Sequence, residues 1–147
     1  MVMGARLLAA LGLAFLVNIG VANPAGDVVL IASANSVITQ INSSEMRRLF
    51  LGLTIIRGGR VHPLLNVSSA KMKDVFLQSI VAMSASTYDR FLLRQSLQQG
   101  REPPIAVGSS RELLDRVAAD PLAVSFISQG EVANDKRVKV LRTVWHE

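Results

Sequence analysis

The chain has no cysteine, and its 147 residues include only two histidines, one tryptophan and one tyrosine. The missing cysteine removes disulfides, thiolate nucleophiles and sulfur ligands together, so the fold must be held by packing alone. His62 and His146 lie far apart in sequence and share no helix face or ligand spacing, so no metal site is assigned. Runs of one charge are also absent. The formal net charge is +5, yet the basic residues alternate with acids in "SEMRRLF", "KMKDVF" and "RELLDR", and aromatics make up only 5% of the chain. A nucleic-acid surface needs basic stripes and stacking rings, so this pattern reads as an ordinary solvated surface with no nucleic-acid partner. Small oxyanions or lipid headgroups are the charge-matched partners that remain. No phosphate-binding glycine loop, nucleophile elbow or carboxylate pair in a structural context occurs, so no catalytic residue and no cofactor is assigned.

One long apolar run is present, at the beginning. Arg6 precedes Leu7 to Val17, which is wholly apolar, and Gly20-Val21-Ala22 places small residues where a signal peptidase reads them. Residues 1–22 are therefore expected to be a cleaved signal peptide, and residues 23–147 a single mature domain in the periplasm. The run falls short of the roughly 20 apolar residues that span a bilayer, and Asn18 interrupts it, so no stable membrane insertion is expected after cleavage. A domain of the remaining length buries about two thirds of its unfolded surface, enough to fold without staples.

The mature segment alternates strand and helix patterns. Asp27 to Ala32, "DVVLIA", reads as a buried strand. "NSSEMRRLFLG" follows with Asn42 as N-cap, Glu45 three residues on, Met46, Leu49 and Phe50 on one face, and Gly52 as stop. After the Gly58-Gly59 turn, Val61 to Val67 is extended, and Pro63 permits only an edge strand or an extended approach. From Ser68 or Ser69 to about Met83, Met72, Val75, Phe76 and Ile80 recur at helical spacing. A further helix runs from a cap near Ser84 or Ser86 to Gly100, and another from the capping-box pair Ser109 and Glu112 to Pro121. Leu122 to Ile127 and Val138 to Trp145 read as strands joined by a polar turn. This interleaving predicts an α/β layer structure with one main sheet. Phe50, Phe76 and Phe126, and Met46, Met72 and Met83, are expected in the core, while Asp89, Glu112 and Asp115 are expected in solvated charge pairs.

The order of three segments resembles a known family. Met46 to Gly52, "MRRLFLG", after a capped helix start, resembles the "LRRIFLG" signature of phosphate-binding components of ABC transporters. Tyr88 to Pro104, "YDRFLLRQSLQQGREPP", is similar to their aromatic helix and Gly/Pro-Pro turn, reduced here to Gly100, Pro103 and Pro104. Val107 to Ile127, "VGSSRELLDRVAADPLAVSFI", is similar to their Val-Gly-Ser helix and the strand after it. The resemblance covers Asp27 to Ile127 and implies a single periplasmic-binding-protein-like lobe, a β-sheet core flanked by helices. It implies also a ligand held in the cleft that such a lobe forms with a second one. Relatives that bind phosphate carry an arginine shortly before a Ser-Gly-Thr turn at a helix N-terminus. This chain has Asn66 near the arginine position and Ser68-Ser69-Ala70-Lys71 in place of the turn, without the glycine.

Asn66, Ser68, Ser69 and Lys71 are thus the candidate anion-binding residues. The two serines suit two tasks equally: capping, worth about 1 kcal/mol, and holding an anion on the unpaired N–H groups of a helix start. Lys71 and Lys73 in the first turn oppose the helix dipole by a few tenths of a kcal/mol, a small cost that a docked anion would offset. The expectation is an exported, non-enzymatic binding module that recognises phosphate or another small oxyanion weakly. The alternative is a protein-interaction or structural module of the cell envelope that has lost ligand binding. In either case an envelope protein or a second copy of the chain is the expected partner, supplying the lobe this length lacks.

Overall fold

The computed structural model describes residues 26–147, so the expected signal peptide lies outside the described residues. Five strands form one sheet: β1 (Val28–Ser33), β2 (His62–Asn66), β3 (Ile105–Val107), β4 (Ala123–Ser128) and β5 (Val138–Trp145). Their order across the sheet is β3-β2-β4-β1-β5. β2 runs parallel to both β3 and β4, whereas β1 pairs antiparallel with β4 and β5. The helices are α1 (Ser43–Phe50), α2 (Ala70–Phe76), α3 (Ala85–Gln99), α4 (Ser110–Ala119) and α5 (Gln129–Val132). This is the α/β lobe that the strand and helix patterns predict.

β1 and β4 are buried along their whole length because helices cover both faces of the sheet. The alternation of a strand divides β1 between two cores. Val28, Leu30 and Ala32 join Met46, Leu49 and Phe50 of α1 and Met72 and Phe76 of α2 on one face. Val29 and Ile31 join Leu113 and Val117 of α4 and Val132 of α5 on the other. The three methionines behave as core residues, Met46 and Met72 fully buried and Met83 packed at the margin.

Four details differ from the sequence pattern. Pro63 does not lie in an edge strand, since β2 sits between β3 and β4. It is tolerated because it is the second residue of β2, and pairing with β3 begins only at Leu64, so β2 has a partner on one side there. The helix opened by Ser69 is not regular to Met83. It becomes a π turn at Leu77–Val81 and ends at Ala82, whose φ of 60° is left-handed. The proline-bent connection contains β3, and the polar turn after β4 contains α5. The Gly58-Gly59 turn is as expected and has two separate causes. Gly58 has φ of +72°, and a Cβ on Gly59 would lie 2.5 Å from the Leu122 side chain.

Candidate anion site

β2 and β3 end side by side. Asn66 pairs with Val107, and the Val67 N–H donates to the Val107 carbonyl at 3.0 Å. The helices that follow these parallel strands therefore begin side by side as well. Ser69 caps α2 by accepting from the Met72 N–H at 3.2 Å, and Ser109 caps α4 by accepting from the Glu112 N–H at 3.0 Å. The residues beside these caps meet: Ser68 Oγ and Ser110 Oγ are 3.3 Å apart. This junction lies just beyond the carboxyl ends of two adjacent parallel strands, where open α/β sheets place their ligands.

Asn66 organises this corner from below. It is fully buried, and its Nδ2 donates to the Phe126 carbonyl at 2.9 Å, which ties β2 to β4. Its Oδ1 accepts from both the Ser68 N–H at 3.0 Å and the Ser68 Oγ at 2.6 Å. Asn66 thus positions Ser68, and the Ser68 hydroxyl that donates to it turns its lone pairs outward. Ser69 performs the capping task in full. Lys71 is exposed and forms no ion pair among the described residues, whereas Lys73 Nζ lies 3.4 Å from Asp89. The structure therefore brings Asn66 and Ser68 into direct contact, places Ser69 and Lys71 on the adjoining helix turn, and adds Ser110 from a different element.

Ser110 was not singled out by sequence. The local signal was present, since "VGSS" opens a helix as "NVSS" does, but their adjacency depends on the parallel pairing of β2 with β3. Arg111, exposed in the first turn of α4, likewise forms no ion pair among the described residues and adds a cation beside Ser110. The expected capping box at this helix is only half made. Glu112 does not reach back to Ser109 but pairs with Arg116 at 2.9 Å. Of the other expected charge pairs, that of Asp115 is tertiary, with Arg137 at 2.8 Å. His62 and His146 are each held by an aspartate at 2.8 Å, Asp120 and Asp27 respectively.

The fold places the protein among single α/β lobes of periplasmic-binding-protein type. Solved structures similar to it include proteins described as belonging to phosphate transport. PstS from Borrelia burgdorferi matches with a TM-score of 0.58 at 16% identity, over 79% of this chain and 46% of that one. A phosphate ABC transporter substrate-binding protein from Clostridium perfringens, solved with bound phosphate, matches with a TM-score of 0.58 at 14% identity, over 80% and 44%. An ABC-type phosphate transport receptor from Vibrio cholerae matches with a TM-score of 0.50 at 17% identity, over 80% and 46%. This chain spans a little under half the length of each of these proteins, and identities this low establish the shared fold alone. No family model and no curated protein sequence matches the chain.

Proposed function

We propose that this protein is an exported, non-enzymatic binding module that takes phosphate or a similar small oxyanion where Ser68 meets Ser110. The observation that carries the reading is the 3.3 Å approach of these two hydroxyls between two capped helix starts. A tetrahedral oxyanion is recognised by convergent N–H and O–H donors backed by partial positive charge. Ser110 supplies a hydroxyl donor, the first turns of α2 and α4 supply N–H groups, and Lys71 and Arg111 supply charge, while Ser68, whose own proton goes to Asn66, would have to turn that proton outward to join them. Asn66 acts through Ser68, as its side chain already bonds to protein groups. The likeness of the fold to a substrate-binding protein solved with bound phosphate supports the same ligand class.

Affinity is expected to be low, with a Kd on the order of 0.1 to 1 mM, because no arginine stands at the position of Asn66 and one lobe cannot exclude water by closing. Calorimetry with phosphate and sulfate tests this directly. Replacing Ser68 and Ser69 together by Asn and Asp should leave the helix capped and the protein folded, since both new residues cap well. The added carboxylate should abolish oxyanion binding by like-charge repulsion. Binding to neither anion by the unaltered protein would instead favour an envelope interaction module, with a partner chain on the face that relatives close with a second lobe.

A further inference from the structure

The end of the sheet opposite the serines carries a separate concavity. His62, Leu64 and Ile105 mark the entry end of the parallel strands β2 and β3, as Asn66 and Val107 mark their exit. There a hollow of about 260 Å3 is lined by Leu49, Val61 and Leu64, which are 2%, 1% and 6% exposed, with Ile105 at its rim. A polar hollow of about 460 Å3 adjoins it. The two share Gly52, Leu53, Arg60 and Glu102, and Arg101 lines the polar one. A Cβ placed on Gly52 would meet no atom within 4 Å, so the space over the shared wall is open.

The charged residues around this double hollow, Arg60, Arg101 and Glu102, are exposed. Among the described residues they form no ion pair, so the two linings together carry two guanidiniums and one carboxylate. His62 is engaged by Asp120 and supplies no counter-charge. Apolar walls beside arginines that the protein leaves unpaired complement a ligand with an apolar chain and an anionic head, since arginine matches a carboxylate in both charge and geometry. An inorganic oxyanion would leave the apolar part unused, and a neutral hydrocarbon would leave the arginines unpaired. We infer that this hollow binds a medium-chain monocarboxylate, with its chain against Leu49, Leu53, Leu64 and Ile105 and its carboxylate on Arg60. The site is independent of the serine corner and stands whether or not that corner binds phosphate.

The test is a titration of the protein, purified as its host processes it, with octanoate and with octanamide, followed by amide chemical shifts. Octanoate should shift Leu53, Leu64 and Ile105 saturably, and octanamide, with the same chain and no charge, should bind at least tenfold more weakly. Arg60→Gln should weaken octanoate at least tenfold while Arg60→Lys restores part of the loss. Arg60 makes no side-chain hydrogen bond or ion pair among the described residues, so both variants should fold; if the glutamine variant does not, the comparison of the two ligands on the unaltered protein decides. Equal affinity for octanoate and octanamide, unchanged octanoate affinity in Arg60→Gln, shifts centred on Ser68 and Ser110, or no saturable shift would each overturn the proposal.

Discussion

Phe50, Phe76 and Phe126 come from α1, α2 and β4 and meet in one fully buried cluster. The rings of Phe76 and Phe126 stack with centroids 3.8 Å apart and planes 4° apart, and Phe50 stands edge-on to Phe76 at 4.8 Å. Each ring thereby gains aromatic contact beyond the burial of its area. Phe76→Ala would leave a hole bounded by two rigid rings that cannot collapse into it, and should cost about 3 to 5 kcal/mol in denaturant unfolding. A loss below about 1 kcal/mol would contradict the cluster. Tyr88 is the other large buried ring. Its hydroxyl donates to the Phe50 carbonyl at 2.6 Å, and burial raises its pKa far above the usual phenol range, so it remains a donor. The apolar character of the phenylalanines was legible from helical and strand spacing, whereas the burial of Asn66 was not. A polar residue is buried only where partners satisfy it, and its partner Phe126 lies sixty positions away.

At the scale of elements, α1 is where sequence and structure agree most closely. Asn42 accepts from the Glu45 N–H at 2.9 Å, and the Glu45 carboxylate accepts from the Asn42 N–H at 3.0 Å, completing the predicted capping box. Glu45 also pairs with Arg57. The bond from Asn42 is the main cause that lowers the Glu45 pKa, with Arg57 adding to it. A carboxylate whose folded pKa is depressed stabilises the fold above its unfolded value of about 4.3, and the contribution is lost as pH falls through the folded value. Glu45→Gln keeps a capping side chain that does not titrate. Its unfolding free energy, measured in steps from about pH 5 to pH 3, should fall less steeply than that of the unaltered protein. The slope should not vanish, because Asp27 and Asp135 are also lowered, chiefly by hydrogen bonds to His146 and to Arg137. Local rules were sufficient at α1 because both halves of a capping box lie within four residues. They failed at the π turn, where Leu77, Ile80 and Val81 are all buried against neighbouring elements.

For the molecule as a whole, one expectation concerns export. Among the described residues no helix is long and apolar enough to cross a membrane. If the first 22 residues direct secretion, N-terminal sequencing of the protein from the extracytoplasmic fraction should begin near Asn23. Full-length chain recovered in the membrane fraction would show an anchor instead. The formal net charge of the whole chain is +5, and would be +4 if Arg6 left with a leader; either favours encounter with anions. It does not select among them; selection would reside in the groups proposed above at the two ends of β2 and β3.

The sequence by itself determined most of the helices and strands, though not β3 or α5, where most helices start and stop, and most of the apolar residues that are buried. These follow from interactions within a few residues: hydrophobic spacing, side-chain caps, and the freedom of glycine at Gly58 and Gly100. Only the tertiary structure decided which elements are neighbours. The parallel pairing of β2 with β3 sets Ser68 against Ser110 at one end of the sheet and Leu64 against Ile105 at the other. Strand pairing is fixed by the total burial of both sheet faces, a property of all five strands and their covering helices together, and no local pattern in the chain encodes it.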